Sequence, residues 1–463
     1  MKPVQFFRSS WLSLGVVLSL VVQLVGCGGT QLAGGVGSGG SGLAEGAVTG
    51  FGSVIVDGVS YSDGAATVER WGDSGVAEVK WGQRVRVYHT DGQASRIVVL
   101  PQLIGRVSAA TDAAGDLVML GQRVHIVSSA DAIHPATVFE GLSQVTLGDA
   151  LEVHGSWSRD AAGRNVLVAS RIEKLTTLPD TVLLTAWVAQ RMGNVLVLDD
   201  VGQTPITASE LPDSVQAGAL VSFWLTSSAV QTPATLSLPW VAARVALASA
   251  QVTQDTSLDL RGDVSGHEAG RIRVQGVWVD LPADWQGAAP SDGTPVQLKL
   301  VGRASGWQAS SLVVQKKDTS PDIELKGSVR WLGGNTLQLR GTAVQVPPSL
   351  LTDSCANLQT GQEVFISLKA RRRDPGQLPQ ATQVTCSVQI PDASVQEAQG
   401  VLMGVDSTTK TVEVRVDNAT LTLIWTSGQT LMPSITALRS GMSVEIEYQR
   451  GSSGLMLRKI KPE

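Results

Sequence analysis

Three of the five histidines lie close together in the sequence, and their side chains could bind a metal ion. They are His125, His134 and His154. Neutral imidazole is the commonest metal ligand in proteins, but a metal site needs several ligands that converge on one point. No His-Glu-x-x-His or Cys-x-x-Cys motif accompanies these residues. A surface or strand-end position is the simpler explanation of each histidine, so we expect no metal site and no cofactor.

The chain has three cysteines, Cys27, Cys355 and Cys386. Cys355 and Cys386 form an even pair, and the secretory signal described below directs the chain to an oxidising compartment in which disulfides persist. Two free thiols or a metal-binding pair are the alternatives, but the Cys-x-x-Cys spacing and the further ligands of a metal site are missing. The sequence therefore predicts a disulfide between Cys355 and Cys386.

The N-terminus has the pattern of a secretory signal that ends in a lipidation site. Lys2 and Arg8 precede an apolar run over residues 11–24, which leads into Leu24-Val25-Gly26-Cys27. A basic start, a short apolar core and small residues before the cut are typical of signal peptides. A small residue directly before a cysteine resembles a bacterial lipobox, in which the cysteine is acylated and becomes the mature N-terminus.

We therefore predict a signal peptide at residues 1–26, a lipid on Cys27, and a Gly/Ser-rich flexible tether at residues 27–44. An ordinary signal, cleaved or uncleaved, is the alternative. The apolar run of about 14 residues is short for a membrane span, which needs about 20. Gly28, and not Asp, follows the cysteine, and by resemblance to the sorting of enterobacterial lipoproteins this implies the outer membrane, facing the periplasm or the cell surface.

The sequence lacks the motifs that select catalytic residues. It has no Gly-x-Ser-x-Gly elbow and no Walker loop. We therefore expect no enzyme, with an envelope hydrolase as the less favoured alternative. The net charge of −5 and the pI near 5.7 argue against a nucleic-acid partner, which needs a basic face.

A short turn flanked by alternating apolar residues occurs six times along the chain, as in β-hairpins. The turns are Asp57-Gly58, Gly121-Gln122, the looser 199–202, Gln275-Gly276, Arg340-Gly341 and Asp417-Asn418.

Each hairpin is followed by a glycine that leads into another alternating strand. These glycines are Gly82, Gly148, Gly218, Gly293, Gly361 and Gly441. In the first copy, the alternation predicts that Val85 and Val87 face the core while Arg84 and Arg86 face water.

An opening strand, a hairpin, a glycine-led strand and a closing strand make about five strands in each unit. Closing them into a small barrel removes the exposed edges. The predicted fold is all-β, a tandem array of about six small five-stranded OB-like barrels that follows the signal peptide and the tether. The predicted repeats are 45–100, 101–176, 181–249 (divergent), 257–316, 322–389 and 396–463.

With this pattern in place, the chain resembles the domain-of-unknown-function family DUF5666, small β-barrel repeats of bacterial lipoproteins. The resemblance is carried by residues 46–58 in the first unit, and by residues 121–126, 148–155 and 169–173 in the second. It implies a secreted array of barrels. It implies no activity and no catalytic residues.

The tryptophans leave two interpretations open. Trp71, Trp81, Trp157, Trp187, Trp224, Trp278, Trp307 and Trp331 are spread across the units. Exposed aromatic side chains could stack on sugars or peptides. We favour the interpretation that each tryptophan fills the interior of a barrel or the seam between two units. We expect a lipid-anchored cell-envelope protein that binds or scaffolds without catalysis. Its partners would be the membrane, through the lipid on Cys27, and an envelope protein or glycan. The alternative is an envelope lipoprotein that binds a small ligand, a glycan or a metal.

Overall fold

The structure is a computed structural model, and the part of the chain that it describes is almost entirely β. It describes residues 41–73, 77–112, 115–127, 134–142, 144–231, 233–282, 285, 287–315, 322–352, 355–369, 378–386, 396–407, 409–416, 419–425, 438–451 and 454–462. The predicted signal peptide and Cys27 lie outside these residues. The described residues include single 3-10 turns at Ala229–Gln231 and Pro348–Leu350. Within the same ranges, no helix has the length and apolar character needed to cross a membrane.

The strands are described as six consecutive segments, numbered in the order of the predicted repeats. Segment one contains β1 (Ser41–Phe51), β2 (Val54–Val56), β3 (Val59–Tyr61), β4 (Thr67–Arg70), β5 (Arg84–Thr90) and β6 (Gln93–Val99). Segment two contains β7 (Leu103–Ala109), β8 (Asp116–Met119), β9 (Gln122–Ile126), β10 (Val138–Glu140), β11 (Ala150–Arg159) and β12 (Asn165–Lys174). Segment three contains β13 (Thr181–Met192), β14 (Val195–Leu198), β15 (Pro205–Ala208), β16 (Leu220–Thr226) and β17 (Trp240–Leu247).

The second half of the chain continues the pattern. Segment four contains β18 (Ser257–Glu268), β19 (Arg271–Val274), β20 (Val277–Asp280), β21 (Pro295–Arg303) and β22 (Gly306–Val314). Segment five contains β23 (Asp322–Ser328), β24 (Arg330–Gly333), β25 (Thr336–Leu339), β26 (Thr342–Gln345), β27 (Glu363–Lys369) and β28 (Ala381–Cys386). Segment six contains β29 (Gln396–Asp406), β30 (Thr411–Val416), β31 (Ala419–Ile424), β32 (Ser443–Gly451) and β33 (Gly454–Pro462).

Segment six is a closed barrel with the strand order β29-β30-β31-β33-β32. Four of its pairings are antiparallel, and β31 with β33 is parallel. Counted within the segment, this order is 1-2-3-5-4, as in an OB-fold. The predicted all-β class and a five-stranded barrel are thereby confirmed.

The same pairings recur in other segments. In segment two, for example, β9 pairs in parallel with β12, and β7 pairs with both β8 and β11. Segments three and four repeat this arrangement. In segment one a single parallel bridge joins Ser62, directly after β3, to Gln93 of β6, and in segment five one joins Gln345 of β26 to Gln380, directly before β28.

Neighbouring segments also share sheets, so the number of six separate barrels and their boundaries stay predictions. Strand β1 runs parallel to β18 from Gly42 to Glu45, and β7 pairs with β13. Strand β1 begins at Ser41, so it includes the last four residues of the predicted tether. Residues 41–44 are therefore strand and not coil, because they are paired with β5 on one side and β18 on the other.

The glycines that precede β5, β11, β16, β21, β27 and β32 occur at these positions for a conformational reason. All six have positive φ, between 78° and 93°, a region that a Cβ disfavours. In segment one, the amide of Gly82 donates to the carbonyl of Val48, and the amide of Val48 donates to the carbonyl of Gln83. The same pair of hydrogen bonds joins Gly148, Gly218, Gly293, Gly361 and Gly441 to Val107, Val188, Val264, Val329 and Leu402.

The hairpin turns have positive φ at both central residues, as type I′ turns require. This holds at the predicted pairs Asp57-Gly58, Gln275-Gly276 and Arg340-Gly341. In segment two the turn residues are Leu120 and Gly121, one position earlier than predicted. The predicted turn Asp417-Asn418 lies outside the described residues.

Hydrophobic cores extend across segment borders. Segments two and three contribute to one core, which includes the fully buried Trp157 and Trp187. Segments one and five contribute to a second, with Phe51 and Ile366. Segments four and six each have a core of their own. Where a core extends across such a border, the surface between the two segments is interior, and any charged group there has to be paired.

Candidate functional site

Charged side chains are buried where segment one meets its neighbours. Glu45 on β1 is 4% exposed, and Arg84 and Arg86 on β5 are 2% and 7% exposed. Antiparallel pairing places Glu45 opposite Arg86, with Arg84 two positions along the strand. The carboxylate accepts from Arg84 Nη2 at 2.9 Å and from Arg86 Nε at 2.8 Å. The prediction that both arginines face water is wrong, because other segments cover the outer face of β5.

The pKa of Glu45 reflects two opposing effects. Burial by itself raises it, but the charges of Arg86 and Arg84 and their hydrogen bonds bring it below the usual value. The carboxyl group therefore stays ionised, and each guanidinium keeps its counterion.

The two arginines extend this cluster to segments two and three. Arg84 Nη1 donates to Ser156 Oγ at 3.3 Å, and Arg86 Nη2 donates to the carbonyl of Ala248 at 3.3 Å. The backbone amide of Arg84 donates to Nδ1 of the fully buried His154 at 3.4 Å. Three segments are thus connected through β5.

His154 is held neutral in this environment. Its Nδ1 accepts a hydrogen bond, so Nε2 bears the proton and donates to Glu152 Oε1 at 2.8 Å. Glu152 also pairs with Arg70 of segment one. Burial, assisted by the charge of Arg70, lowers the pKa of His154 to about 3.

A small cavity lies at the seam between segments one and four. Its volume is about 20 Å³, and it is lined by Ala44, Glu45, Val56, Asp57, Val59, Tyr61, Asp259, Leu260, Arg261 and Gln297. That volume holds about one water molecule, whereas pockets for small-molecule ligands are roughly 300–1,000 Å³. Burial raises the pKa of Asp57, an effect that Arg261 and Arg84 reduce. Burial also raises the pKa of Asp259.

His89 lies beside this cavity and is 5% exposed. Its ring stacks on Tyr61, with centroids 4.9 Å apart, and the Tyr61 hydroxyl donates to Asp259 Oδ2 at 3.4 Å. Neither ring nitrogen of His89 has a hydrogen-bond partner within the described part of the chain. Burial lowers the pKa of His89, although Asp259 and Asp91 act in the opposite direction. The strand alternation did not single out this histidine, because the seam with segment four is not visible in the sequence.

One of these segments matches the model of a known protein family. Residues 104–173 match the model of a family, DUF5666, described as a domain of unknown function. This is segment two, and the match confirms the resemblance expected from the sequence.

Solved structures and curated proteins add little to this match. Apo-CusF from Escherichia coli (residues 6–88) is 21% identical, with a TM-score of 0.15, over 17% of this chain and 96% of its own. CusF-Ag(I) from Escherichia coli (residues 10–88) is 18% identical, with a TM-score of 0.14, over 16% and 96%. No curated protein matches the sequence.

The DUF5666 segment contains the three histidines considered as metal ligands, and each contacts a different carboxylate. His125 Nδ1 lies 2.7 Å from Asp116 Oδ1, its cross-strand partner. His134 Nε2 lies 3.0 Å from Asp263 Oδ2 of segment four, and His154 contacts Glu152. Across the described ranges, no group of three metal-ligating side chains is positioned to hold an ion.

The two remaining cysteines are bonded to each other. Cys355 and Cys386 form a disulfide with their Cα atoms 5.3 Å apart, inside the range that a disulfide needs. Cys386 ends β28, and Cys355 lies in the loop between β26 and β27. The disulfide therefore links the connection before β27 to the end of β28, both within segment five. Cys27, the predicted lipidation site, lies outside the described residues.

Several tryptophans lie at seams between segments. The rings of Trp71 and Trp224 are 6.1 Å apart, between segments one and three. Arg244 lies 4.5 Å above Trp224, and Arg273 of segment four lies 4.2 Å above Trp187 of segment three. These contacts favour the structural interpretation of the tryptophans over sugar stacking.

Proposed function

We propose that this protein is a non-catalytic binding or scaffold protein of the bacterial cell envelope, held at the membrane by a lipid on Cys27. The observation that carries the proposal is the set of buried polar contacts between segments. They connect consecutive segments, such as one and two, as well as segments one and four, which are distant in sequence. An array whose units are held in fixed mutual positions can present several surfaces to a partner at defined spacing.

Ionic groups that are buried at the seams favour one relative arrangement of the segments over others. Burying a charge pair brings little net stability, but a misaligned seam leaves a charge unpaired and costs about 3–5 kcal/mol. Arg70 of segment one with Glu152 of segment two is such a pair, because it crosses a seam and the Glu152 side chain is 5% exposed. We infer that these contacts select the arrangement of segments, as a scaffold requires.

The envelope location rests on the N-terminal pattern and not on the fold. The signal, the lipobox-like Leu24-Val25-Gly26-Cys27 and the Gly/Ser-rich stretch that follows it support an anchored protein. The disulfide between Cys355 and Cys386 is consistent with an oxidising compartment.

A protein partner is better supported than a metal or a small molecule. The histidines contact separate carboxylates, and the seam cavity has room for about one water molecule. A glycan would need exposed aromatic faces, whereas Trp71, Trp187 and Trp224 have their rings against other segments. The surface that the partner contacts would then lie on the outer strands and turns.

In-cell photo-crosslinking tests the proposal. A photoreactive amino acid is placed at exposed positions of three segments, Leu147, Val201 and Leu332, and envelope fractions are analysed by mass spectrometry. We expect a reproducible protein adduct at one or two of the positions. The unirradiated sample and the position that gives no adduct are the controls. Recovery of the protein alone from every position would contradict the scaffold proposal.

A further inference from the structure

A turn in segment three carries two of the three most exposed large apolar side chains in the described ranges. Leu236 is 66% exposed and Leu238 is 69% exposed. Both lie in the connection between β16 and β17, on the turn formed by residues 235–238. Val241, at the start of β17, adds a further exposed aliphatic side chain. Exposed apolar residues are common singly, but two on a four-residue turn are unusual.

The polar groups of this turn are partly satisfied from within. The amides of Thr235 and Leu238 donate to each other's carbonyl oxygens at 3.0 Å. The hydroxyls of Thr235 and Ser237 are 3.1 Å apart, within hydrogen-bond distance. A turn that pairs its own donors and acceptors loses less when it leaves water for a less polar medium.

The turn also lies in an uncharged stretch of chain. Residues 214–243 contain no Asp, Glu, Lys, Arg or His. Insertion of charged groups into a bilayer is costly, and this region would bring none from its own sequence. Uncharged, aliphatic and turn-forming residues suit the boundary between headgroups and acyl chains.

We propose that this turn is a membrane-contact element, in which Leu236 and Leu238 insert into the bilayer that holds the lipid anchor. The inference rests on the proposed anchoring at Cys27. The first described strand begins at Ser41, 14 residues after Cys27. A Gly/Ser-rich tether of that length has an average span of about 20 Å. The body therefore stays close to the bilayer, at an effective concentration near millimolar, so even a weakly inserting turn docks.

Vesicle flotation of the mature chain without acyl groups tests the turn separately from the anchor. The chain begins at residue 28, which retains every described strand. The probe is vesicles of phosphatidylethanolamine and phosphatidylglycerol at millimolar lipid. The test variant is Leu236→Ser/Leu238→Ser. The matched control is Val313→Ser/Val314→Ser, which removes two aliphatic side chains that are 52% and 41% exposed on β22.

We expect the wild-type chain and the control variant to float, and the test variant to partition about tenfold less. No flotation of the wild type at millimolar lipid, or equal flotation of both variants, would overturn the membrane contact. A concentration-dependent dimer in sedimentation velocity that the test variant abolishes would assign the turn to a second copy and overturn it as well. The mass of the N-terminal peptide from cells reports the lipid on Cys27 independently, so loss of the anchor is distinguishable from failure of the turn.

Discussion

The backbone amide of Arg84 donates a hydrogen bond to Nδ1 of His154, 3.4 Å away in the neighbouring segment. The bond sets the histidine tautomer, because Nε2 must then carry the proton that Glu152 accepts. Glu152 also forms an ion pair with Arg70, which belongs to segment one. The imidazole of His154 therefore contacts segment one directly through Nδ1, and indirectly through Nε2 and Glu152. Protonation of Nδ1 would break the contact with the Arg84 amide.

This arrangement predicts a pH dependence of stability. The pKa of His154 falls from 6.5 to about 3 on folding, so the unfolded chain binds more protons between these values. The contribution of the neutral imidazole is present above about pH 6.5 and is lost as the pH falls. In His154→Gln, we expect the free energy of unfolding to depend less on pH, by about 3 kcal/mol between pH 7 and pH 4.

Urea denaturation at half-unit pH intervals measures this difference. Gln keeps an acceptor for Arg84 and a donor for Glu152, so the variant should fold at pH 7. Parallel curves for the wild type and the variant would show that His154 does not carry the effect.

Replacement of Glu45 by Gln should destabilise the protein strongly. It removes the carboxylate that accepts hydrogen bonds from both Arg84 and Arg86 and leaves two guanidinium groups buried. We expect a loss of about 3–5 kcal/mol in the free energy of unfolding at pH 7. The matched control is Glu69→Gln, which breaks an ion pair with Arg96 whose side chains are 43% and 44% exposed. That change should cost less than about 1 kcal/mol. Similar losses in the two variants would show that burial of the Glu45 cluster is overstated.

The positive φ of the repeated glycines can be tested without steric complications. Gly148 has a φ of 85° and no atom within 4 Å of an added Cβ. Gly148→Ala should therefore reduce stability by about 1–2 kcal/mol through backbone strain alone. Gly404→Ala is the control, since that site is equally open and its φ is not positive. Thermal unfolding of both variants makes the comparison, and an equal effect would exclude the conformational explanation.

The disulfide should stabilise segment five. The cysteines are 31 residues apart, and loop closure of that size is worth about 3–4 kcal/mol. In Cys355→Ala/Cys386→Ala, we expect faster hydrogen exchange in β27 and β28, while β29 to β33 exchange as in the wild type. Segment six is the internal control, because its core contains no residue of segment five. Unchanged exchange in β27 would contradict the prediction.

Much of the fold could be predicted from the chemistry of a few adjacent residues. Gly82 and its five counterparts were recognisable because glycine adopts the positive φ of these positions without the strain that a Cβ brings. Alternation in Val85 and Val87 correctly indicated an inward face. The turn of segment two was misplaced by one residue because Leu120 adopts a positive φ, which is uncommon for leucine.

The candidate site could be predicted less well from the sequence. Arg84 and Arg86 have the spacing of a solvated strand face, and only the cover provided by segments two and three makes them buried. The cavity brings together Asp57 and Asp259, about 200 positions apart in the chain. No local pattern indicates which distant strand will lie beside β1.

The sequence by itself determined the strands, the hairpins and the repeated glycine, because period-2 alternation and positive φ are properties of a few adjacent residues. The tertiary structure alone decided that β1 runs beside β18, that Glu45 lies between two arginines, and that the three histidines separate onto Asp116, Asp263 and Glu152. Such contacts depend on how whole segments pack. Packing follows from the complementarity of complete surfaces and not from any short stretch of residues.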